Sequence, residues 1–217
     1  MVTLSCRAIL FDMDGTLVDS SAVIRRTWEW WSSLHGIPLA PILAVEKGRP
    51  TRDVLSQFGP HLDIEAEAAR FLECEENDTE GLVAIPGALE AVAAAQQGLW
   101  AVVTSAHRSL GEIRLRAAGL PIPGVFITAD LIHRGKPDPE SYLLAAQQLK
   151  VEPPDCVVFE DAPAGIEAAR SAGMSVVGVL TALTSEELSA PLDIGDFHDV
   201  TISRRENGGF DLSLNTR

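Results

Sequence analysis

Short, unbroken apolar runs recur along the chain, each closed by polar residues. AILF (Ala8 to Phe11) runs into Asp12, WAVV (Trp100 to Val103) into Thr104, VFI (Val125 to Ile127) into Thr128, CVVF (Cys156 to Phe159) into Glu160, and SVVGV (Ser175 to Val179) lies just ahead of Thr181. Runs that are apolar throughout, rather than alternating, predict strands of a parallel sheet covered on both faces. Between them lie segments with helical patterning: GALEAVAAAQQG, SLGEIRLRAAGL, DPESYLLAAQQLK and APAGIEAARSAGM. Pro86-Gly87 opens the first and Gly98 follows it, while Asp138-Pro139 with Glu140 and Ser141 opens another; these are boundary signals independent of periodicity. Strand and helix in alternation predict an α/β fold with right-handed crossovers.

One gap interrupts the alternation. From about Leu17 to about Ile85 the patterns are helical only, in SAVIRRTWEWWSSLHG, PTRDVLSQFG and DIEAEAARFLECEEND. The expectation is a small helical domain over 18–85, inserted after the first strand into an α/β core of 1–17 and 86–217. Two adjacent crossings, near Val18 to Ser20 and Ala84 to Gly87, would form its hinge. The tail reads as a structural hairpin around Asn207-Gly208-Gly209.

Composition narrows the partners. With 217 residues, 46% of them hydrophobic, the chain can bury one sizeable core and a satellite. Its net charge of -14 argues against nucleic acid or an anionic membrane, both of which require a basic footprint. The three cysteines, Cys6, Cys74 and Cys156, are isolated and suggest reduced thiols. No leader pattern and no apolar stretch approaching about 18 residues is apparent, so the expectation is a cytoplasmic protein acting on small molecules.

Ligands of open parallel sheets bind at the carboxyl ends of the strands. That rule gathers Asp12, Asp14, Thr104, Ser105, Glu160 and Asp161, with Lys136 from the HRGKPDP loop, into one place. An all-carboxylate cluster without His or Cys suits Mg²⁺, which takes about six oxygens, often including those of a phosphate. A hydroxyl, backbone N–H groups and a lysine suit the phosphoryl group itself. Asp12 at the strand tip could act as nucleophile. Asp14, beside Gly15, could protonate the leaving alkoxide and later deprotonate water.

These residues carry a family resemblance. DMDGTLVDS at Asp12, VVTS at Thr104, RGKPDPE at Lys136 and FEDAPAGIEAARSAGM at Glu160 and Asp161 resemble, in order, the motifs of the haloacid dehalogenase superfamily of aspartate-nucleophile phosphatases. The resemblance implies a Rossmann-like core with a cap following the first strand, and Asp12 as nucleophile and Mg²⁺ ligand. It implies Asp14 as acid/base that also gives a backbone carbonyl to the metal, Thr104 and Lys136 as phosphoryl holders, Asp161 as a ligand and Glu160 as a direct or water-mediated one. EKGRPTRDVLSQFGP, TEGLVAIPGALEAV and ITADLIHRGKPDPESYLLAAQQL are most similar to sugar-phosphate, glycerol-phosphate and 2-deoxyglucose-6-phosphate phosphatases. Many of those relatives carry His before the cap glycine, where this chain has Lys47 before Gly48.

Lys47, Gly48 and Arg49 are the candidate substrate contacts from the cap, with Ser105 from the core; Arg49 is preferred among the cations. Trp28, Trp30 and Trp31 cannot all share one helix face, so at least one belongs to cap core. Asp161 also stands where a helix cap would, and His107 reads as a loop residue near the mouth. The resemblance leaves three readings open: a phosphatase of small phosphorylated metabolites, a phosphomutase of the beta-phosphoglucomutase type, and an idle phosphosugar-binding protein. Oligomeric state has no signature.

Overall fold

The computed structural model describes residues 1–46, 49–206 and 208–216. The chain begins with strands β1 (Val2–Cys6), β2 (Ala8–Phe11) and β3 (Val18–Asp19), then helices α1 (Ser21–His35), α2 (Leu39–Leu43), α3 (Thr51–Phe58) and α4 (Ile64–Glu76). It continues through β4 (Val83–Ala84), α5 (Ala88–Ala95), β5 (Leu99–Val103), α6 (Arg108–Ala117), β6 (Val125–Ile127), α7 (Glu140–Leu149), β7 (Cys156–Glu160), α8 (Pro163–Ser171) and β8 (Ser175–Val179). Helix α9 (Ser185–Leu188) and strands β9 (Asp193–Ile194), β10 (Val200–Arg204) and β11 (Phe210–Leu214) complete it.

Six strands form a parallel sheet in the order β6-β5-β2-β7-β8-β9. All five expected apolar runs are in it, and β2 lies between β5 and β7. Every residue of β2 is buried because the sheet is covered on both sides. Ile9 and Phe11 join a core with Val92 of α5 and Leu115 of α6, while Ala8 and Leu10 join another with Tyr142 of α7 and Ile166 of α8. The alternation of side chains along a strand thus assigns one short run to two cores. Phe11 and Phe159 stack at 5.4 Å, with Phe197 against both, directly beneath the tips of β2 and β7.

Three features go beyond the expected plan. Strand β1, which the apolar-run criterion passes over, pairs antiparallel with β11, and β11 with β10, in a separate sheet. The tail is therefore a hairpin as expected, although Asn207 lies outside the described residues. Strand β9 extends the main sheet beyond β8. Both crossings into the helical segment are strands: Val18 pairs with Ala84 and Asp19 with Val83.

The four helices between those crossings bury a hydrophobic cluster of their own, comprising Trp28, Trp31, Ile42, Val54, Leu55 and Phe71. Trp28 and Trp31 are both core, edge-to-face at 5.8 Å; Trp30 is partly buried, with Arg70 over its ring. Helix α1 ends at Gly36, whose φ of 65° is a left-handed stop, and the Asp63 carboxylate caps α4 by accepting from the Ala66 N–H. Among the described residues no helix is long and apolar enough to cross a membrane.

Candidate active site

The strand tips converge as the sheet topology requires. Asp12 follows β2 and extends its ladder, its N–H donating to the Phe159 carbonyl at 3.0 Å. Asp12 is buried, and its carboxylate accepts from Lys136 Nζ at 2.5 Å. Lys136 reaches in from the loop before α7, where the Glu140 carboxylate accepts the His133 and Arg134 N–H groups and shapes the turn. Its ammonium also donates to Glu160 Oε1 at 2.6 Å and to the Val103 carbonyl at 3.2 Å. All three N–H bonds are therefore spent on β2, β7 and β5 in turn.

Glu160, at the end of β7, is held on both oxygens. Oε1 accepts from Lys136 and, at 2.9 Å, from the Tyr142 hydroxyl, while Oε2 accepts from the Ala162 N–H at 3.1 Å. A Cβ on Gly165 would overlap this carboxylate, so the first turn of α8 needs glycine to pack there. Asp161 does not cap α8, whose N-cap residue is Ala162. Its carboxylate lies against the Asp12–Val18 turn instead, 3.4 Å from the Thr16 hydroxyl. Gly15 makes that approach possible, since φ is 83° and a Cβ would overlap the Asp161 carboxylate.

Ligand oxygens of Asp12, Glu160 and Asp161 all lie within 4.8 Å of one another. Burial, then the Glu160 charge, pushes the Asp12 carboxyl up to about 7 against the pull of Lys136. Burial and the Asp12 and Glu160 charges raise Asp161 well above the usual carboxylate range. Burial disfavours the Lys136 charge, but Asp12 and Glu160 outweigh it and hold the ammonium well above its ordinary value. Three crowded carboxylates against one ammonium form a donor set that fits a hard divalent cation.

Asp14 lies two residues beyond Asp12 and faces a different cation. Arg114 Nη1, from α6, stands 2.9 Å from Asp14 Oδ1, and Arg114 Nη2 donates to Glu75 Oε1 of α4 at 2.6 Å. Burial opposes the Arg114 charge, yet the two carboxylates raise its pKa above the ordinary arginine value.

Thr104 is buried just past β5; its N–H donates to the Ile127 carbonyl and its hydroxyl accepts from the Ala106 N–H at 3.0 Å. Ser105 beside it is exposed. His107, at the N-terminus of α6, pairs with Asp130 at 2.6 Å. Arg49 is exposed and donates to Gln57 at 2.8 Å, within the helical segment. Lys47 and Gly48 lie outside the described residues.

The sheet thus brings Asp12, Lys136, Glu160 and Asp161 into direct contact or near it, with Thr104 on the neighbouring strand tip. Tyr142, Arg114 and Glu75 are the site-linked residues that reading the sequence does not single out. Tyr142 sits two residues after the loop motif, on the helix it opens, and that spacing is a usable signal. Arg114 and Glu75 have none, because a helix arginine paired to a glutamate 39 positions away leaves no local pattern.

Comparison with known proteins gives a concordant result. The family model of haloacid dehalogenase-like hydrolases matches residues 6–173. Hexitol phosphatase A of Escherichia coli is 38% identical over 94% of this chain and 97% of its own. Glycerol-1-phosphate phosphohydrolase 2 of Saccharomyces cerevisiae is 33% identical over 83% of this chain and 77% of its own. Among solved structures, a hydrolase from Pseudomonas syringae aligns with a TM-score of 0.80 at 27% identity, over 89% of this chain and 95% of that one.

Proposed function

This chain belongs to the haloacid dehalogenase-like hydrolases, and we propose that it is a phosphatase of small phosphomonoesters, sugar or polyol phosphates, working through an aspartyl phosphate on Asp12. The observation that carries the proposal is the lysine-paired carboxylate at the tip of the central strand, with two further carboxylates beside it and Asp14 two residues on. The names of the relatives, a hexitol phosphatase and a glycerol-1-phosphate phosphohydrolase, support the substrate class.

In this reading Asp12 attacks phosphorus, a bond forms between its carboxylate oxygen and phosphorus, and the bond to the substrate oxygen breaks. Asp14 delivers a proton to the departing alkoxide, then takes one from the water that hydrolyses the aspartyl phosphate. Lys136, fully committed to protein partners, acts as a fixed positive charge offsetting repulsion between Asp12 and the phosphoryl group. The Thr104 hydroxyl keeps its proton free to donate, since the oxygen only accepts from Ala106. Asp12, Asp161, the Asp14 carbonyl and Glu160 would hold Mg²⁺, which when bound supplies positive charge to the phosphoryl oxygens. With both oxygens of Glu160 engaged, we assign it chiefly to holding Lys136 in place and secondarily to the cation.

Residues 18–85 would act as a cap closing over these groups, excluding bulk water during transfer. Their separate hydrophobic cluster and paired crossings support this division. The test is phosphate release, with and without MgCl₂, from a panel of hexitol, glycerol and 2-deoxyhexose phosphates. Free phosphate is expected, and Asp12→Asn should lower the rate at least about a thousand-fold. Undiminished activity in that variant would refute the mechanism. Isomerised sugar phosphate without free phosphate would replace the phosphatase by a mutase.

A further inference from the structure

At the end of the sheet away from the strand tips the chain carries a second recess. It has a volume of about 340 Å³ and is lined by Arg7, Gly98, Leu99, Arg204, Gly208 and Gly209. Arg7 immediately precedes β2 and Leu99 opens β5, so these two paired strands hold the recess at their amino ends and Asp12 and Thr104 at their carboxyl ends. It therefore has no part in the chemistry proposed above.

Close packing of three turns makes it. A Cβ on Gly209 would overlap the Cys6 carbonyl, so the β10–β11 hairpin lies directly on the junction of β1 and β2. A Cβ on Gly98 would overlap the Phe210 ring, which sets the turn before β5 against the same hairpin. With glycine at three of the lining positions the floor is backbone, and the side chains that line the recess are two guanidiniums and Leu99, itself 39% exposed.

The two arginines depart from the pattern of the rest of the chain. With 31 acidic residues to 17 basic ones, a cation has carboxylates in excess to pair with. Arg205 stands 3.8 Å from Asp211, whereas among the described residues neither Arg7 nor Arg204 has a carboxylate within ion-pair distance. Arg204 also takes an inward-facing place. Val200, Ile202 and Arg204 lie opposite Leu214, Leu212 and Phe210, and Val200 and Ile202 pack against the buried core, so the alternation of the strand puts Arg204 on that same face at its rim. Two guanidiniums lining one recess repel each other unless an anion lies between them. A phosphate monoester, with nearly two negative charges at neutral pH, answers both, where a carboxylate would answer one.

We propose that this recess binds the phosphate group of a small phosphorylated molecule, Arg7 and Arg204 donating to its oxygens and Leu99 lying against its carbon skeleton. The site is independent of the one at the strand tips, and neither arginine touches the residues assigned to phosphoryl transfer.

The test is a titration of the ¹⁵N-labelled full chain with phenylphosphonate, whose carbon–phosphorus bond a phosphatase does not hydrolyse, followed by amide shifts. The amides of Gly98, Leu99, Gly208 and Gly209 are expected to move and to saturate below about 10 mM ligand. Sodium chloride at equal ionic strength should leave them in place. Arg7→Gln and Arg204→Gln should each weaken binding at these amides about tenfold, with Mg²⁺-dependent phosphate release unchanged. Shifts confined to the strand tips around Asp12 and Thr104 overturn the proposal, as do equal shifts with chloride or variants that bind as wild type does. If one variant does not fold, as judged by circular dichroism, the other decides; if neither folds, the wild-type titration against chloride decides. A chain that releases no phosphate from any ester yet shows the saturable shifts counts against the phosphatase reading alone, and an active phosphatase without them counts against this site alone.

Discussion

Asp12 illustrates how a single carboxyl can conflict with its own fold. Burial and the adjacent Glu160 charge raise it from 3.8 to about 7, so the folded protein retains a proton that the unfolded chain gives up. A group raised in this way contributes stability that is complete below the ordinary value and is lost as pH rises from about 4 to about 7. A divalent cation binding the ionised cluster reverses the loss, but below pH 7 it must first displace the proton. MgCl₂ is therefore expected to raise Tm more at pH 8 than at pH 5, read by thermal melts with and without the salt. Equal shifts at the two pH values would show that Asp12 does not titrate with the cation. The sequence makes the identity of this residue plain, because an apolar run ends on it. The proton it retains becomes visible only with the partners in place, since Glu160 and Lys136 arrive from more than a hundred positions away.

At the scale of elements, glycines set how closely the strand tips can meet. Gly165 lies in the first turn of α8, where alanine would ordinarily favour the helix by up to about 1 kcal/mol. The side chain it would gain overlaps the Glu160 carboxylate, whose two oxygens organise Lys136, Tyr142 and the Ala162 N–H. Packing outweighs propensity, so Gly165→Ala should destabilise by about 1–3 kcal/mol in urea melts and reduce phosphate release at least about tenfold. A variant as stable and active as wild type would mean that Glu160 can relocate without consequence. The elements themselves were unequally legible. Unbroken runs such as AILF and CVVF identify buried parallel strands because both faces are covered. VTLSC alternates between half-buried and exposed positions until Cys6, which is buried, and its partner lies at the other end of the chain, so neither a run nor a local hairpin announces it. The strands of two residues each at Val18–Asp19 and Val83–Ala84 are too short to leave any periodicity.

Across the whole molecule, apolar side chains gather into three clusters, one on each face of the main sheet and one among α1, α3 and α4 with Ile42 of α2. The third makes the helical segment a candidate for independent loosening. Trp31 is fully buried there, and its indole N–H donates to Glu67 at 2.8 Å. Trp31→Ala should cost about 3–5 kcal/mol, confined to that cluster. Fluorescence of the remaining tryptophans, most of which lie in this segment, is expected to change at lower denaturant than far-ultraviolet dichroism. Coincident transitions would show that the segment and the sheet unfold as one. From the sequence, the segment and its helices were legible as an interruption in the strand-helix alternation. The link between Glu75 and Arg114 was not, because it exists only where α4 meets α6.

The paired crossings have a further consequence. Chain leaves and re-enters the sheet through adjacent residues, Val18 opposite Ala84 and Asp19 opposite Val83, with the Ile85 N–H donating to the Leu17 carbonyl directly below. Under the proposed division, the helices beyond that short ladder form a unit bounded by four adjacent residues, and α4 touches the rest of the chain again at Arg114 of α6. Exchanging those helices for a relative's at the ladder, with the glutamate that faces Arg114 kept, is expected to alter which phosphate esters are hydrolysed while the strand-tip residues stay the same.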